Sequence, residues 1–301
     1  MKIGAFTKSF RDWPISVVSH RFQQIGLDGM DLTVRHGGHV EPKDAAAQLP
    51  LAAKSALEAG TEILILTTEI TEPSAEAEQI LAAASKLGIS HAKLGYYIYK
   101  PFGTLAKQMD AVRKQLAVLI KLFKRYEVLP CVHIHSGTDI PSHGTMLYEL
   151  IRDFAPDEIG AYVDMLHMVL EGGSDGWREG LDLLAPWIAL VAVKNFTWEA
   201  DKRDKLGQLR WKHKVVPLAD GISPIPDYVG VLKKIGYDGI YSLHSEYKGT
   251  GSFKDLDTEA CLTQTAEDLK FLKKLLNSSN SGLGQEPSRA PQTIRNPKAK
   301  I

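Results

Sequence analysis

Eight short apolar, β-rich runs recur along this chain with segments of helical period between them. That alternation constrains the fold more than any figure of composition. The runs cover residues 3–6, 29–34, 62–67, 91–95, 129–135, 160–164, 188–193 and 239–244. Between two of them Leu105, Met109, Val112, Leu116, Leu119, Phe123 and Tyr126 advance in alternating steps of four and three, the stripe of an amphipathic helix. Ile15, Val18, Phe22 and Ile25 keep helical spacing behind Pro14, a residue suited to helix starts. Leu262, Leu269, Leu272 and Leu276 give a closing helix. Strand–helix alternation implies right-handed parallel crossovers. Eight such units in a chain of 301 residues fit a single (β/α)8 barrel, typically ~250 residues long. A doubly wound sheet is the alternative, but no G-x-G-x-x-G follows the first run, which disfavours its dinucleotide-binding version.

The barrel is expected to occupy residues 1–276 and a disordered tail residues 277–301. Asn277-Ser-Ser-Asn-Ser-Gly-Leu-Gly and the later Pro287, Pro291 and Pro297 carry no apolar period. The tail holds Arg289, Arg295, Lys298 and Lys300 against Glu286, and the whole chain has 36 basic and 36 acidic side chains. The body is therefore slightly acidic, which argues against nucleic acid as a partner. Cys131 lies inside an apolar run and far from Cys261, so two reduced buried thiols are expected, with no disulfide framework. The start Met-Lys-Ile-Gly-Ala-Phe enters a strand directly and lacks the pattern of a signal peptide. No apolar run approaches the ~18 residues of a membrane span. A soluble, cytoplasmic protein without a membrane partner is the expectation.

Four of the runs end on reactive side chains: Cys131-Val-His-Ile-His135, Val163-Asp-Met-Leu-His167, Val191-Ala-Val-Lys-Asn195 and Ser242-Leu-His-Ser-Glu246. A strand buried on both faces has no reason to finish on imidazole, carboxylate or ammonium unless its end lines a polar cavity. In a barrel that cavity is the mouth at the C-terminal strand ends, because the interior below is packed. The two-residue period puts His133 with His135, His244 with Glu246 and Ala192 with Lys194 on shared faces. Asp164 closes the sixth strand and His167 follows within reach of it. Imidazoles and carboxylates from separate strands are ordinary ligands of a divalent ion. On the substrate side, Arg35 and His39 flank the Gly37-Gly38 loop, and Glu69 ends the third run. Tyr96, Tyr97 and Trp198 offer aromatic faces at the ends of the fourth and seventh runs.

These motifs together resemble a known family. Gly29-Met-Asp-Leu-Thr-Val-Arg35 with Gly37-Gly-His-Val40, Val132-His-Ile-His-Ser-Gly137, Val163-Asp-Met-Leu-His167, Val193-Lys-Asn-Phe-Thr-Trp198 and Gly236-Tyr-Asp-Gly-Ile-Tyr-Ser-Leu-His-Ser-Glu-Tyr247 stand in family order. From Met1 to about Leu276 the chain resembles the sugar phosphate isomerase/epimerase-like proteins of the xylose isomerase-like TIM barrel superfamily. The resemblance implies a divalent ion (Mn, Zn, Mg or Co) on Glu, Asp, His and Glu of strands five to eight. Asp164 matches the family Asp. His133 and His244 stand where glutamates are common, and Ala192 where the seventh-strand His is common. The implied metal ligands are thus His133, Asp164 and His244, with water, His167 or Glu246 completing the site.

By the same resemblance the reaction is isomerisation or epimerisation of a small sugar or keto-sugar, by proton transfer beside a metal-polarised carbonyl. Glu246, Lys194 and His135 are the implied catalytic groups, since a lysine can serve as base when burial or nearby charge lowers its pKa. Arg35, His39, Glu69, His167 and Trp198 are the implied substrate contacts. The run His133–Thr138 also resembles inosose-dehydratase-like members, so a keto-sugar lyase is the alternative. The missing seventh-strand ligand leaves a non-catalytic sugar-binding barrel as a third reading, and a DNA-repair endonuclease gets least support from the acidic body. Family members often form dimers or tetramers, and the sequence leaves the oligomeric state open.

Overall fold

The computed structural model describes residues 1–278. Its eight parallel strands close into one barrel. In chain order they are Lys2–Phe6, Gly29–Val34, Glu62–Thr68, His91–Lys93, Leu129–His133, Gly160–Asp164, Ile188–Val193 and Ile240–Leu243, called the first to eighth strands below. The eighth pairs with the first, Lys2 opposite Ile240, so the sheet keeps no open edge. Every expected run is a strand. The fourth and fifth stop two residues early, which leaves His135 on a loop, its N–H bonded to the Pro141 carbonyl.

The expected helices follow the expected periods. Helix Ile15–Ile25 buries Val18 and Phe22 and ends at Gly26, whose φ of 86° is the left-handed turn that glycine adopts without cost. Helix Leu105–Lys124 turns Val112, Leu116, Leu119 and Phe123 inward. Helix Thr258–Asn277 closes the ring, so Asn277 belongs to the barrel, and the tail from 279 onward lies outside the described residues. Gly29 is needed for another reason: a Cβ there would sit 2.2 Å from the Glu62 carbonyl oxygen, so only a bare backbone fits between the second and third strands. Cys131 and Cys261 are free and buried, as expected.

Two additions decorate the mouth. An antiparallel hairpin, Asn195–Arg203 with Leu209–Val216, leaves the seventh strand directly. Its tip is fixed by Asp204, whose side chain accepts the Leu206 and Gln208 amides, and by Gly207 at φ 86°. A two-residue pair, Tyr97–Ile98 with Asp139–Ile140, ties the loops after strands four and five together. Among the described residues no helix is long and apolar enough to cross a membrane.

Candidate active site

The strand ends converge as their sequence pattern demands. Strands five and six deliver His133 and Asp164, and the first residues past strands seven and eight deliver Lys194, His244 and Glu246. Asp164 is the hub. It caps helix Met165–Gly172, its Oδ1 accepting the Leu166 and His167 amides at 2.9 and 3.1 Å. Oδ2 therefore faces the cavity, 3.2 Å from His133 Nε2, 3.3 Å from Lys194 Nζ and 3.9 Å from His167 Nε2. Lys194 also donates to Glu246 Oε2 at 3.2 Å, and Lys8 Nζ lies against the other Glu246 oxygen.

These contacts set the charges. Burial alone would push the Asp164 carboxyl up, but Lys194, His167 and His133 outweigh it and hold the group well below the usual range. The same competition, with Lys194 and Lys8 as the cations, keeps Glu246 ionised. Burial pulls Lys194 down, yet the two carboxylates reverse the balance and raise it. Lys194 is thus held as an ammonium, which corrects the expectation of a lysine base with lowered pKa. His133 goes the other way: burial outweighs Asp164 and lowers it to about 3, so the ring is neutral.

Beneath this cluster lies a second buried carboxylate that sequence reasoning missed. Asp31, from the second strand, accepts from Thr67 Oγ1 at 2.6 Å, Tyr162 OH at 2.8 Å and Ser242 Oγ at 3.1 Å. His244 Nε2 is 2.9 Å from the Tyr162 oxygen, which has already spent its proton on Asp31, so the ring must donate. A face of Phe6 stacks on the same ring at 4.7 Å. The available signal was a lone Asp inside the apolar run Gly29–Val34.

The expected metal ligands are close enough to share an ion: atoms of His133, Asp164 and His244 lie within 4.8 Å of one another. The donor set, two imidazoles and a carboxylate, suits zinc, manganese or a similar ion. Tyr96 OH stands 2.8 Å from His133 Nδ1 and can hold the tautomer whose Nε2 lone pair faces the group. The residues fit, with two conditions. His244 donates through Nε2 to Tyr162, so it would have to ligate through Nδ1 or give up that bond. Lys194 sits on the same Asp164 oxygen, so an ion and the ammonium compete for it.

Other expected residues divide between cavity and scaffold. Arg35 and Glu246 line both an inner cavity of about 90 Å³ and an outer hollow of about 340 Å³. Glu69 lines the outer hollow and pairs with His36 rather than with Arg35. The rings of His135 and His167 lie tilted against each other with centroids 4.0 Å apart, and His135 Nδ1 lies 2.6 Å from Asp139 Oδ2, poorly aligned for a hydrogen bond. His167 is buried, bonded to Ser136 through Nδ1, while Nε2 has no hydrogen-bond partner. Trp198, on the hairpin, walls a further hollow with His167, Lys194 and Glu246. Tyr97 donates to the Thr71 carbonyl. His39 stands apart from these linings. Nδ1 meets Thr33 Oγ1 and Nε2 the Phe10 carbonyl, so both ring nitrogens serve the loop.

Lys93 was not singled out by the sequence. It ends the fourth strand and lines the inner cavity, and its side chain makes neither hydrogen bond nor ion pair among the described residues. Its Nζ rests 3.5 Å from the centre of the Tyr96 ring. A charged residue closing an apolar strand was the overlooked signal.

The comparisons agree with the fold. No curated protein sequence matches the chain significantly. Among solved structures, a D-psicose 3-epimerase determined in the presence of D-fructose superposes with a TM-score of 0.69 at 14% identity, covering 92% of this chain and 100% of that one. The probable 3-DHS dehydratase AsbF of petrobactin synthesis from Bacillus anthracis gives 0.65 at 18%, covering 91% and 99%. A xylose isomerase-like TIM barrel protein from Mycobacterium smegmatis in complex with magnesium gives 0.64 at 15%, covering 91% and 97%. The family model described as xylose isomerase-like TIM barrel matches residues 20–275, and the chain belongs to that family.

Proposed function

We propose that this barrel is an isomerase or epimerase of a small sugar or keto-sugar, working by proton transfer at the carbon beside a polarised carbonyl. The observation that carries it is the buried Asp164–Lys194–Glu246 chain, with neutral imidazoles beside it, at the end of the barrel where substrates bind. His133, Asp164 and His244 would hold a divalent ion, which when bound supplies Lewis-acid polarisation; its identity is left open. Glu246, ionised and facing the inner and outer cavities, would take the proton once substrate displaces one of its lysine contacts. Lys194, fixed as an ammonium, stabilises negative charge on the substrate oxygen as the proton leaves. Arg35 and Glu69 at the outer hollow, with Trp198 on the hairpin, offer polar contacts and a stacking face to the rest of the sugar. A small-molecule sugar as the partner and a cytoplasmic location belong to the same proposal.

The fold is shared with both an epimerase and a dehydratase, which motivates the lyase as second reading. One experiment separates them: ketoses incubated with the enzyme in D2O and followed by NMR. Deuterium entering recovered or epimerised sugar supports the proposal, whereas a dehydrated product assigns the lyase. Sugar binding with no exchange and no product would leave a binding barrel.

A further inference from the structure

The inner cavity contains one amine without a carboxylate. Four lysines reach the mouth. Lys8 is paired with Glu246, Lys194 with Asp164 and Glu246, and Lys248 with Asp12. Lys93 alone among them has no ion pair among the described residues, although it is as deeply buried as Lys194, each 3% exposed. Its aliphatic stem is held in the fourth strand, and the ring of Tyr96 closes one side of Nζ. The cavity that it lines also holds Arg35, His133, Lys194 and Glu246. A buried ammonium with no hydrogen-bonding or ion-pair partner among the described residues is the species such a place disfavours, and the Tyr96 ring face offsets only part of that cost. Burial first, then the nearby Arg35 charge, lower Lys93 to about 7 against the weaker pull of Asp31, Asp139 and Glu69. Those charged groups, with the phenol of Tyr96, face it from strand two, the loops after strands two, three and five, and the loop after its own strand.

A neutral, oriented amine beside groups that move protons has a specific chemistry with carbonyl compounds. We infer that Lys93 is a nucleophile that captures the carbonyl of a small polyhydroxy ketone as an imine. The nitrogen lone pair adds to the carbonyl carbon while the C=O π pair moves to oxygen, which takes up a proton. The resulting carbinolamine loses water with the C–O bonding pair, and the C=N bond forms. The sum is ketone plus neutral amine plus one proton giving iminium plus water, with no oxidant or reductant consumed, and hydrolysis reverses it. The iminium draws electrons from the adjacent carbon and makes its proton removable. The inference rests on the proposed keto-sugar reading for the identity of the ligand; the C=N bond takes the place of the polarised carbonyl as electron sink, because imine formation expels that oxygen as water.

The test traps the imine. The full-length protein is incubated at pH 7 with dihydroxyacetone or D-fructose and sodium cyanoborohydride, then digested and mapped by mass spectrometry. An ordinary lysine, pKa ~10.4, is neutral only about 0.04% of the time at pH 7, so Lys93 should be modified at least ~10-fold faster than any surface lysine. Lys93→Met should remove the fast adduct and leave the slow surface background. Because mapping is done on the wild type, the result stands even if that variant folds poorly. An adduct spread over surface lysines with Lys93 unmodified, or no adduct at Lys93 with either ketone, overturns the inference. Either failure leaves the D2O exchange experiment free to succeed, and an adduct at Lys93 without exchange would sink the isomerase reading instead.

Discussion

The two sides of the barrel mouth treat the same residue in opposite ways. On the side of strands six to eight, Lys194 meets two carboxylates within 3.3 Å and its pKa is raised. On the side of strands two to four, Lys93 meets an aromatic face and the charge of Arg35, and falls to about 7. Desolvation is shared by both, so burial does not decide the outcome. The partners do. A barrel mouth can therefore hold a permanent cation and a neutral amine in adjoining positions, one suited to stabilising charge and the other to making bonds.

The largest effect should come from breaking the paired side. Asp164→Asn leaves the Lys194 ammonium with one carboxylate, that of Glu246. Urea denaturation should show a loss of about 3–5 kcal/mol, the usual cost of unpairing a buried ion. Divalent ion binding should be lost as well, and unchanged stability would show the pair to be weak.

Lys194→Met attacks the same side from the other partner. Turnover should fall at least ~10-fold, because a fixed positive charge is removed. Affinity for Mn2+ or Zn2+ should rise, since Asp164 Oδ2 and Glu246 Oε2 lose their competitor. Weaker ion binding in calorimetric titration would contradict the competition described here.

The unpaired side predicts the reverse sign in stability. Between about 7 and the unfolded value of ~10.4, the unfolded chain binds a proton at Lys93 that the folded chain does not. Folding stability from this residue therefore rises with pH across that window, and the penalty is full below it. Lys93→Met should stabilise the protein by about 2–4 kcal/mol at pH 7 and flatten that rise. A variant less stable than wild type at pH 7 would mean that the amine has a partner. The smallest effect belongs to His39→Ala, which should cost about 1 kcal/mol through the lost loop hydrogen bonds and change turnover by less than about threefold, checked by steady-state kinetics.

The contrast also explains what could be read from sequence. Strands and helices were legible because hydrophobic period is local: the stripe from Leu105 to Phe123 and the run Gly160–Asp164 need no tertiary information. His133, Asp164, Lys194, His244 and Glu246 could be brought together once strand ends were mapped to a barrel mouth. The charge state of Lys194 could not, because it depends on carboxylates 30 and 52 residues away. Lys93 and Asp31 escaped notice because each is the one lysine or carboxylate in its run, and only the packed structure shows hydroxyls bonded to Asp31 and no side-chain partner bonded to Lys93 among the described residues. The hairpin from Asn195 to Val216 was missed although Phe196, Trp198 and Ala200 on one strand and Leu209, Trp211 and Val215 on the other alternate with polar residues, the two-residue period of a strand.

The most direct test of the opposed lysines is a pH titration of the lysine side chains by carbon-detected NMR of the wild type, with Lys93→Met and Lys194→Met to assign the two signals. One lysine should titrate near 7 and vanish in Lys93→Met, and a second should stay protonated above the ordinary lysine value and vanish in Lys194→Met. If both titrate together near the ordinary value, the two sides of the mouth are not electrostatically distinct and the account fails.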